Sequence, residues 1–389
     1  MSDRACRPDR FGLRALDLDE LRRRNGAKWM ARPAAFSAWV ADMDFRVAPP
    51  IAEALHEVID RDELGYPNWG GPYAASPAAR LFAPRMSERY GWELDEGRVH
   101  ELIDVLQGVR AAVHHRSSPG DGVVLHVPAY HPFLDSIDSM GRRRIDVAWT
   151  GEGFDYDDLD ARLTADGGAS VWILCNPHNP LGHVFERPKL DRIAEIAARH
   201  DIVVVSDEIH ADLTMPGHDH VPFASLGPEV AARTVTVTSA SKSFNLAGLR
   251  WAVMHAGDRT FHETIRALPG HYLGAPNLMA VTATVAAWTR CDEWLTDVVD
   301  VLDENRVALV GLLADHLPGA IYRPPAATYL AWIDVTGVGL GDDAAEAFRD
   351  RGVELSPGSQ FGPGGEGHVR LNFATSPAIL AATVAAMAG

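Results

Sequence analysis

A lysine near the middle of the chain, Lys242, follows a predicted strand and occupies a position suited to chemistry. Residues 234–238 read TVTVT, an alternation of β-branched residues that predicts a strand, and three small residues separate this strand from Lys242. A primary amine at a strand end of an α/β protein can form an imine with an aldehyde or accept a proton. A single lysine in a loop is more often a solvated surface residue, so the neighbouring motifs must decide between the two interpretations.

Other predicted strand ends carry polar or aromatic residues of the kind that bind ligands. They are the Gln-Gly pair at 107–108, Tyr130, Asn179, and Asp207 with His210. Because ligands bind at the carboxyl ends of the strands in an open α/β sheet, we expect these residues to converge with Lys242 on one site. Each residue alone also has a structural explanation, as a strand-end cap, a turn residue, a core aromatic or a loop histidine.

Together these groups suit a ligand that has an aldehyde, an aromatic ring with a basic nitrogen, a phenolic oxygen and a phosphate. Lys242 would react with the aldehyde, and Asp207 would keep the ring nitrogen protonated so that the ring can accept electrons. Tyr130 would stack on the ring, and Asn179 would donate to the phenolic oxygen. The phosphate would be held by the amides of Gly108 and Val109 and by the side chains of Ser239 and Arg250. A ligand with all four features is pyridoxal 5′-phosphate (PLP).

The elements that must position these residues follow from a strand and helix rhythm through the middle of the chain. Strands are predicted at residues 99–105, 122–127, 143–149, 170–174, 202–205, 234–238 and 251–255. The strand at 202–205 is apolar throughout, which is typical of a central, parallel position. The pattern predicts an α/β fold whose large domain has a mostly parallel central sheet flanked by helices.

A change of pattern after about residue 290 predicts a second, smaller α+β domain, to which the N-terminal segment contributes. A long helix is predicted over 292–316, followed by short strands and further helix. The predicted organisation is an N-terminal arm with part of the small domain (1–45), a large cofactor-binding domain (46–290) and a small C-terminal domain (291–389). Residues 36–45 are either an extended segment or a loop with Asp42 as a cap, and Pro84 is expected to kink a helix over 76–90.

The overall composition excludes several classes of function. The 389 residues carry a net charge of −17, from 36 lysines and arginines against 53 aspartates and glutamates. This charge would repel a phosphate backbone or an anionic membrane, so neither nucleic acid nor a membrane is expected as a partner. Three scattered cysteines predict neither a disulfide framework nor a metal site. No signal peptide or long apolar run is found, so a cytoplasmic location is expected.

Several motifs occur in the order and spacing of a known enzyme superfamily. From about Lys28 to Leu380 the chain resembles the fold-type I PLP enzymes of the aspartate aminotransferase superfamily, class I/II. The general motifs are NPHNPLG (176–182), SDEIH (206–210) and SASK (239–242) with an arginine eight residues further on. Finer motifs resemble the cystathionine β-lyase group of C–S lyases (MalY/PatB type): WVADMDF (39–45), GYP (65–67), PAYHPF (128–133), DEIHADL (207–213), SKSFNLAGL (241–249), TYLAW (328–332) and RLNFA (370–374). His210 agrees with this group, since many aminotransferases have a tyrosine there.

This resemblance implies further roles and a reaction. Arg370 would bind the α-carboxylate of an amino-acid substrate, and Tyr66 would reach the phosphate of a neighbouring subunit, which implies a homodimer with shared sites. The implied reaction is α,β-elimination from cystathionine or a related S-substituted cysteine, giving a thiol (homocysteine), pyruvate and ammonia. Lys242 would remove the Cα proton, and Lys242 or Tyr130 would protonate the leaving thiolate.

Two alternatives stay open at this stage, and one local feature departs from the family pattern. An aminotransferase would use the same cofactor and the same lysine, and the group also includes members with a regulatory side role. Gln107 and Arg110 stand beside the phosphate glycine, where small or apolar residues are expected. Arg110 would either add charge to the phosphate site or point outward from its helix.

Overall fold

The structure is a computed structural model that describes residues 8–30, 34–71, 74–165, 167–270, 272–341 and 343–389. Its strands are β1 (Phe36–Ser37), β2 (Val99–Leu102), β3 (Gly122–Val127), β4 (Arg143–Ala148), β5 (Val171–Cys175), β6 (Val203–Asp207), β7 (Thr234–Thr238), β8 (Ala252–Ala256), β9 (Ile321–Tyr322), β10 (Leu330–Asp334), β11 (Val353–Glu354), β12 (Ser356–Pro357) and β13 (His368–Asn372). Its helices are α1 (Leu18–Arg22), α2 (Ala27–Met30), α3 (Pro49–Asp60), α4 (Pro77–Tyr90), α5 (Val105–Arg116), α6 (His131–Ser139), α7 (Tyr156–Ala165), α8 (Arg187–Arg199), α9 (Pro228–Ala231), α10 (Arg259–Ala267), α11 (Leu278–Arg290), α12 (Asp292–His316), α13 (Ala344–Asp350) and α14 (Pro377–Ala388).

Seven strands form the central sheet of the fold, in the order β2-β8-β7-β6-β5-β3-β4. The strands from β7 to β4 in this order are parallel to one another, and β8 runs antiparallel to both of its neighbours. The predicted fold class, with a mostly parallel central sheet flanked by helices, is therefore confirmed. Because the parallel strands share one direction, their carboxyl ends lie along one edge of the sheet.

Both faces of this sheet are covered by helices, which explains why its strands are apolar along their length. Alternate residues serve the two faces, since side chains alternate along a strand. Helices α5, α6 and α10 pack on the face that carries Val171 and Val205, whereas α7 and α8 pack on the face that carries Trp172 and Val204. Burial on both sides favours the β-branched runs from which these strands were predicted.

A smaller antiparallel sheet, in the order β12-β13-β10-β9, is built from the C-terminal part of the chain. Helices α12 and α14 pack against each other beside this sheet. The N-terminal segment joins the same region, because Phe36 of β1 pairs with Val353 of β11 in a parallel arrangement. The predicted contribution of the N-terminal segment to the small α+β unit is thus observed.

Three local predictions can be compared with the structure. The helix predicted over 292–316 is α12, with the same bounds. Helix α4 runs without interruption from Pro77 to Tyr90 and includes Pro84. Within residues 36–45 only Phe36 and Ser37 form strand, and the rest is a loop. The carboxylate that anchors this loop is that of Asp44, which forms a buried ion pair with Lys28 at 2.8 Å.

The cysteines and the lengths of the helices also bear on the predicted environment of the protein. Cys175 and Cys291 are buried and unpaired, and Cys6 lies outside the described residues. In the part of the chain that the structure describes, no helix combines the length and the apolar character that a membrane span requires.

Candidate active site

A cavity of about 800 Å³ lies where the carboxyl ends of β3, β5, β6 and β7 meet the loop of residues 38–48 and strands β12 and β13. Eight of the eleven residues predicted for the site line it: Tyr130, Asn179, Asp207, His210, Ser239, Lys242, Arg250 and Arg370. Gly108, Val109 and Tyr66 do not line it. The structure therefore brings most of the predicted groups to one cavity at the expected edge of the sheet.

Lys242 lies in the turn after β7, and its amine reaches the loop of residues 38–48. Its Nζ donates a hydrogen bond to the carbonyl oxygen of Ala41 at 2.8 Å. Burial lowers the pKa of the Lys242 amine, and the Arg370 guanidinium also lowers it, while the carboxylates of Asp42 and Asp207 act in the opposite direction. A lowered pKa enlarges the fraction of neutral amine, which is the form that attacks an aldehyde or accepts a proton.

Asp207 is the last residue of β6, and its carboxylate is buried in the cavity wall. Its Oδ1 accepts a hydrogen bond from the backbone N–H of Ile209 at 3.1 Å. Burial raises the pKa of Asp207 to about 7, while the Ile209 hydrogen bond and the nearby Lys242 lower it. A buried carboxylate of this kind is stabilised as the anion by a cationic N–H donor, so a protonated ring nitrogen fits the position.

Arg370 and Asn179 form a hydrogen-bonded pair in the cavity wall. Nη1 of Arg370 donates to Oδ1 of Asn179 at 3.0 Å, and Nη2 donates to the carbonyl oxygen of Trp39 at 2.9 Å. The Nε of Arg370 is buried and has no hydrogen-bond partner among the described residues. Burial lowers the pKa of Arg370 to about 10, so the guanidinium stays charged at neutral pH. A buried cation with an unused donor fits a carboxylate ligand.

The contact with Arg370 also determines which atom of the Asn179 amide is available to a ligand. Its oxygen is occupied as an acceptor from Arg370, which leaves the amide nitrogen as the donor available to a ligand. This assignment agrees with the predicted donation from Asn179 to a phenolic oxygen. The Asn179–Pro180 peptide bond is cis.

Tyr130 and His210 add two polar groups that stay neutral at physiological pH. Burial raises the pKa of the Tyr130 hydroxyl, so it stays protonated. Burial lowers the pKa of His210 to about 3, and Lys242 and Arg370 lower it further. Nδ1 of His210 is buried and has no partner among the described residues, and its ring lies edge-on to Tyr329 at 6.2 Å. The positions of Tyr130 and His210 on the cavity wall suit the predicted contacts with a bound ring.

The end of the cavity predicted to bind phosphate contains Ser239 and Arg250. Ser239 Oγ donates to the carbonyl oxygen of Trp251 at 2.6 Å and accepts from the backbone N–H of Ser241 at 3.0 Å. Nη2 of Arg250 pairs with Oδ2 of Asp104 at 2.5 Å, and the Arg250 side chain is 61% exposed. Since a guanidinium has five N–H donors, Arg250 keeps several for an anion.

The structure places the predicted phosphate amides outside the cavity lining. Helix α5 begins at Val105, because the carboxylate of Asp104 caps it by accepting from the backbone N–H of Gln107 at 2.7 Å. Gly108 and Val109 therefore lie in the second turn, are buried and do not line the cavity, and the contact of their amides with a phosphate stays a prediction. The cavity is lined instead by the first turn of α5, where backbone N–H groups lack helical partners and suit a phosphate.

Gly108 has a packing role that the sequence analysis did not predict. A Cβ atom at this position would lie 2.7 Å from Cδ1 of Leu102 and 2.7 Å from Cγ1 of Val237. A glycine therefore allows α5 to approach the central sheet closely. The sequence signal for a turn with a glycine was present, but the start of the helix depends on the Asp104 cap, which the prediction did not use.

Tyr66 is not brought to the cavity of the single chain. Its side chain is fully exposed and does not line the cavity. The predicted contact with the phosphate of a neighbouring subunit requires a second chain, so this role stays a prediction.

The carbonyl groups of the loop at residues 38–48 are site components that sequence reasoning missed. The oxygen of Ala41 accepts from Nζ of Lys242 and also from the hydroxyl of Tyr329, at 2.7 Å. The oxygen of Trp39 accepts from Arg370 and from Oγ of Ser356, at 2.8 Å. These acceptors position the amine and the guanidinium relative to each other.

A second contact fixes the same loop to the small sheet. Nδ2 of Asn372, at the end of β13, donates to the carbonyl oxygens of Val40 and Asp42, each at 2.6 Å. The motifs WVADMDF and RLNFA therefore meet in space, and this meeting explains why the loop can present its carbonyl groups to the cavity. The only sequence signal was the presence of both motifs, because a backbone carbonyl has no residue type of its own.

Comparisons with known proteins agree with this geometry. Residues 52–386 match the family model described as aminotransferase class I and II. The chain is 36% identical to cystathionine beta-lyase PatB of Bacillus subtilis over 89% of this chain and 90% of PatB. It is 31% identical to a cystathionine beta-lyase of Corynebacterium glutamicum, over 94% of this chain and 96% of that protein. The crystal structure of a PLP-bound C-S lyase from Staphylococcus hominis superposes with a TM-score of 0.87, at 27% identity, and the match covers 96% of this chain and 98% of that one.

Proposed function

We infer the function of this chain from the family to which it belongs, the class I and II aminotransferases, and we propose that it is a PLP-dependent carbon–sulfur β-lyase. The proposed substrate is cystathionine or a related S-substituted cysteine, and the products are a thiol, pyruvate and ammonia. The observation that carries the proposal is the convergence of Lys242, Asp207 and Arg370 on one cavity in a chain that matches cystathionine β-lyases along most of its length.

The residues present fit PLP. Lys242 would bind its aldehyde, Asp207 would pair with its ring nitrogen, and the amide nitrogen of Asn179 would donate to its phenolic oxygen. The phosphate would lie at the first turn of α5 beside Ser239 and Arg250. PLP bound there supplies an acceptor for the electron pair that is left on the substrate Cα when the Cα proton is removed.

Two residues of the chain prepare the substrate for the removal of that proton. The Arg370 guanidinium holds the α-carboxylate, and its contacts with Trp39 and Asn179 fix its orientation in a buried site. The Lys242 amine takes the proton from Cα, and the burial that lowers the pKa of Lys242 favours the neutral amine needed for this step.

The loss of the β-substituent then requires a proton for the leaving sulfur. Tyr130 keeps its hydroxyl proton because burial raises its pKa, so Tyr130 or the protonated Lys242 can donate to the thiolate. The C–S bond breaks as the thiol leaves. The three-carbon enamine that remains is released and takes up water to give pyruvate and ammonia.

The reaction is tested by incubating the PLP-loaded protein with cystathionine and measuring pyruvate and free thiol together. We expect the two products in equal amounts, without any added keto acid. The proposal is overturned if no pyruvate forms while an added keto acid is converted to its amino acid.

An aminotransferase is the second candidate, and the family description favours it. The same residues would serve, because both reactions begin with removal of the Cα proton. The two candidates differ in where the proton held by Lys242 goes next, which depends on side chains that contact the β-substituent. Dependence of turnover on an added keto acid would identify this reaction.

We also propose a homodimer in which Tyr66 of one subunit reaches the phosphate site of the other. Tyr66 is fully exposed, and Ile59 and Leu64 beside it are also exposed apolar residues. Large exposed apolar side chains in one segment are typical of a surface that another chain covers.

Hybrid dimers test this arrangement. Lys242→Ala subunits are expected to have little activity at any PLP concentration, and Tyr66→Ala subunits are expected to have little activity at the limiting PLP concentration used in this experiment. If the subunits share sites, mixing the two after mild dissociation restores one site per hybrid dimer that has both residues. Activity that does not rise on mixing, in hybrids confirmed by native mass spectrometry, would contradict the shared site.

We further propose the organisation into residues 1–45, 46–290 and 291–389, and a cytoplasmic location. The separate small sheet and the start of α12 at Asp292 support the second boundary. The unpaired state of Cys175 and Cys291 is consistent with a reducing compartment.

A further inference from the structure

Two side chains of opposite charge line the outer part of the cavity without forming a pair. Arg110 on α5 and Asp135 on α6 both line the cavity, and both are exposed. No ion pair joins them. Other charged residues on the same helices do pair: Arg116 of α5 with Asp258 at 3.3 Å, and Asp138 of α6 with Arg144 at 3.6 Å. On these two helices, Arg110 and Asp135 therefore differ from Arg116 and Asp138 in that they line the cavity and have no ion-pair partner among the described residues.

Arg110 is held by one edge of its guanidinium. Its Nε donates to Oγ of Ser136 on α6 at 2.9 Å, and Ser136 also donates to the carbonyl oxygen of Pro132 at 2.5 Å. The two terminal nitrogens of Arg110 form no hydrogen bond or ion pair within the described part of the chain. An arginine that is oriented at Nε and unoccupied at both terminal nitrogens is suited to bind a carboxylate with two parallel hydrogen bonds.

Asp135 supplies the complementary charge one residue before the serine that holds Arg110. Its carboxylate takes part in no hydrogen bond or ion pair among the described residues. It lies four residues after His131, and its charge acts on the His131 ring, which also lines the cavity. An exposed carboxylate at the cavity mouth attracts an ammonium group.

We propose that Arg110 and Asp135 form a subsite for the far end of the substrate, and that this end carries both a carboxylate and an ammonium group. A thioether between two amino acids has such an end, whereas an S-alkyl cysteine does not. Arg370 would hold the near α-carboxylate, and Arg110 with Asp135 would hold the far amino-acid group. The inference rests on the proposed lyase function and names the residues that select among its substrates.

The size of the cavity is consistent with two amino-acid ends. A volume of about 800 Å³ lies in the upper part of the range for small-molecule pockets, about 300–1,000 Å³. In this proposal a substituent with charged groups extends to Arg110 and Asp135, whereas a short cysteine derivative has no group that would meet them.

Four substrates distinguish the contribution of Arg110 from that of Asp135. L-Cystathionine carries both distal groups, S-(2-carboxyethyl)-L-cysteine only the carboxylate, S-(2-aminoethyl)-L-cysteine only the ammonium group, and S-ethyl-L-cysteine neither. The kcat/KM for pyruvate release is measured for each with the PLP-loaded wild type, Arg110→Gln and Asp135→Asn. Arg116→Gln and Asp138→Asn serve as matched controls on the same two helices, because neither residue lines the cavity.

We expect a crossed pattern. Arg110→Gln lowers kcat/KM about fivefold for cystathionine and the carboxyethyl compound and leaves the other two unchanged, as expected for a partly exposed ion pair. Asp135→Asn does the same for cystathionine and the aminoethyl compound. The loss falls mainly on KM. Equal losses for all four substrates, or equal losses in the control variants, would overturn the subsite.

Binding to a protein that cannot turn over separates this inference from the proposed reaction. The Lys242→Ala protein loaded with PLP is titrated with the same four compounds, and tryptophan fluorescence gives the dissociation constants with and without Arg110→Gln or Asp135→Asn. If the wild type releases no pyruvate from any compound, the lyase function is wrong, and the pattern of dissociation constants still decides the subsite. Identical constants for charged and uncharged substituents would refute it.

Discussion

The substrate side of the cavity and its phosphate end differ in how completely one chain builds them. On the substrate side, Asp207, His210 and Arg370 are 4%, 2% and 6% exposed, and Arg370 already has fixed hydrogen-bond partners inside the chain. At the phosphate end, Arg250 is mostly exposed and pairs with Asp104, and the predicted contact from Tyr66 needs another subunit.

The two ends of the cavity should therefore contribute differently, one to the rate of the reaction and the other to the affinity for PLP. Buried groups with fixed partners need no reorganisation when the substrate binds, so they can set the rate of the chemical steps. Exposed groups contribute modest energies each, and their effect is on how tightly the cofactor is held. Mutations of Lys242 and Arg370 should therefore act mainly on turnover, and mutations at the phosphate end on PLP affinity. A mutation of Asp207, which would contact the cofactor ring, should act on both.

The largest effect is expected at Lys242. Lys242→Ala removes both the covalent attachment and the base, so kcat should fall about a thousandfold or more. PLP should stay bound without a covalent bond, because the other contacts are intact. Pyruvate release and the absorbance of the dialysed protein measure the two properties. Lys189→Ala, on an exposed face of α8, is the control, and undiminished activity of Lys242→Ala would contradict the site.

The next effect is expected from Arg370→Lys. The lysine keeps the charge but cannot bind a carboxylate with two parallel hydrogen bonds, and it removes the Arg370 donor from Asn179 Oδ1 and from the Trp39 carbonyl. We expect kcat/KM to fall about a hundredfold, with little change in PLP affinity. Arg259→Lys, at an exposed surface pair, is the control. A loss of PLP affinity equal to the loss of kcat/KM would erase the contrast between the two ends.

Asp207→Asn tests whether burial raises the pKa of Asp207, because the variant should change how stability depends on pH. Without cofactor, burial raises the pKa of Asp207 from 3.8 to about 7, so between these values the folded chain keeps a proton that the unfolded chain has lost. The stability contributed by this group is therefore fully present below about pH 4 and is lost as the pH rises to about 7, by up to about 4 kcal/mol.

The Asn variant lacks this titration. The free energy of unfolding of Asp207→Asn, minus that of the wild type, should therefore increase from about pH 4 to about pH 7. Urea unfolding of the cofactor-free proteins across this range measures the difference. A difference that does not change with pH would show that Asp207 is ionised at all these pH values. With PLP, the variant should bind more weakly, because the cationic ring nitrogen loses its carboxylate.

The smallest effect is expected at the first turn of α5. Val105→Pro removes one backbone N–H at a position where proline is tolerated, because Asp104 before it is extended. PLP affinity should fall about tenfold, whereas the affinity for pyridoxal, which lacks the phosphate, should change much less. Gly108→Ala is the matched comparison. The steric conflict of the new Cβ atom should lower stability and should change the affinities for PLP and pyridoxal equally. A selective loss of PLP affinity in Gly108→Ala would support the predicted contact of the Gly108 and Val109 amides with the phosphate.

The buried side of the site could be predicted from the sequence because each of its functions needs a particular side chain. Lys242, Asp207 and Asn179 follow strands whose apolar β-branched runs are easily read, so their convergence followed from the direction of the strands. The backbone amides that line the cavity at the start of α5 were not predicted, because any residue can supply a backbone N–H. Their position depends on where α5 begins, which the side chain of Asp104 determines.

The parts that could not be predicted share a physical cause. The Trp39 and Ala41 carbonyl groups act through backbone atoms, and no residue type marks a carbonyl that faces a cavity. Tyr66 was identified by resemblance, and one chain cannot test a contact made between two. The interpretation of Arg110 was open because its orientation depends on Ser136, which lies on a helix distant in sequence.

The Trp39 and Ala41 carbonyls have a consequence for how this segment can vary. Arg370 is held by the carbonyl of residue 39 and Lys242 by that of residue 41, so two residues of backbone set the spacing between the proposed carboxylate-binding group and the proposed base. The length of this stretch is then under tighter constraint than the identity of its side chains. Substitutions between Trp39 and Ala41 would adjust the cavity surface, whereas an insertion or deletion of one residue would change the distance between the Arg370 guanidinium and the Lys242 amine.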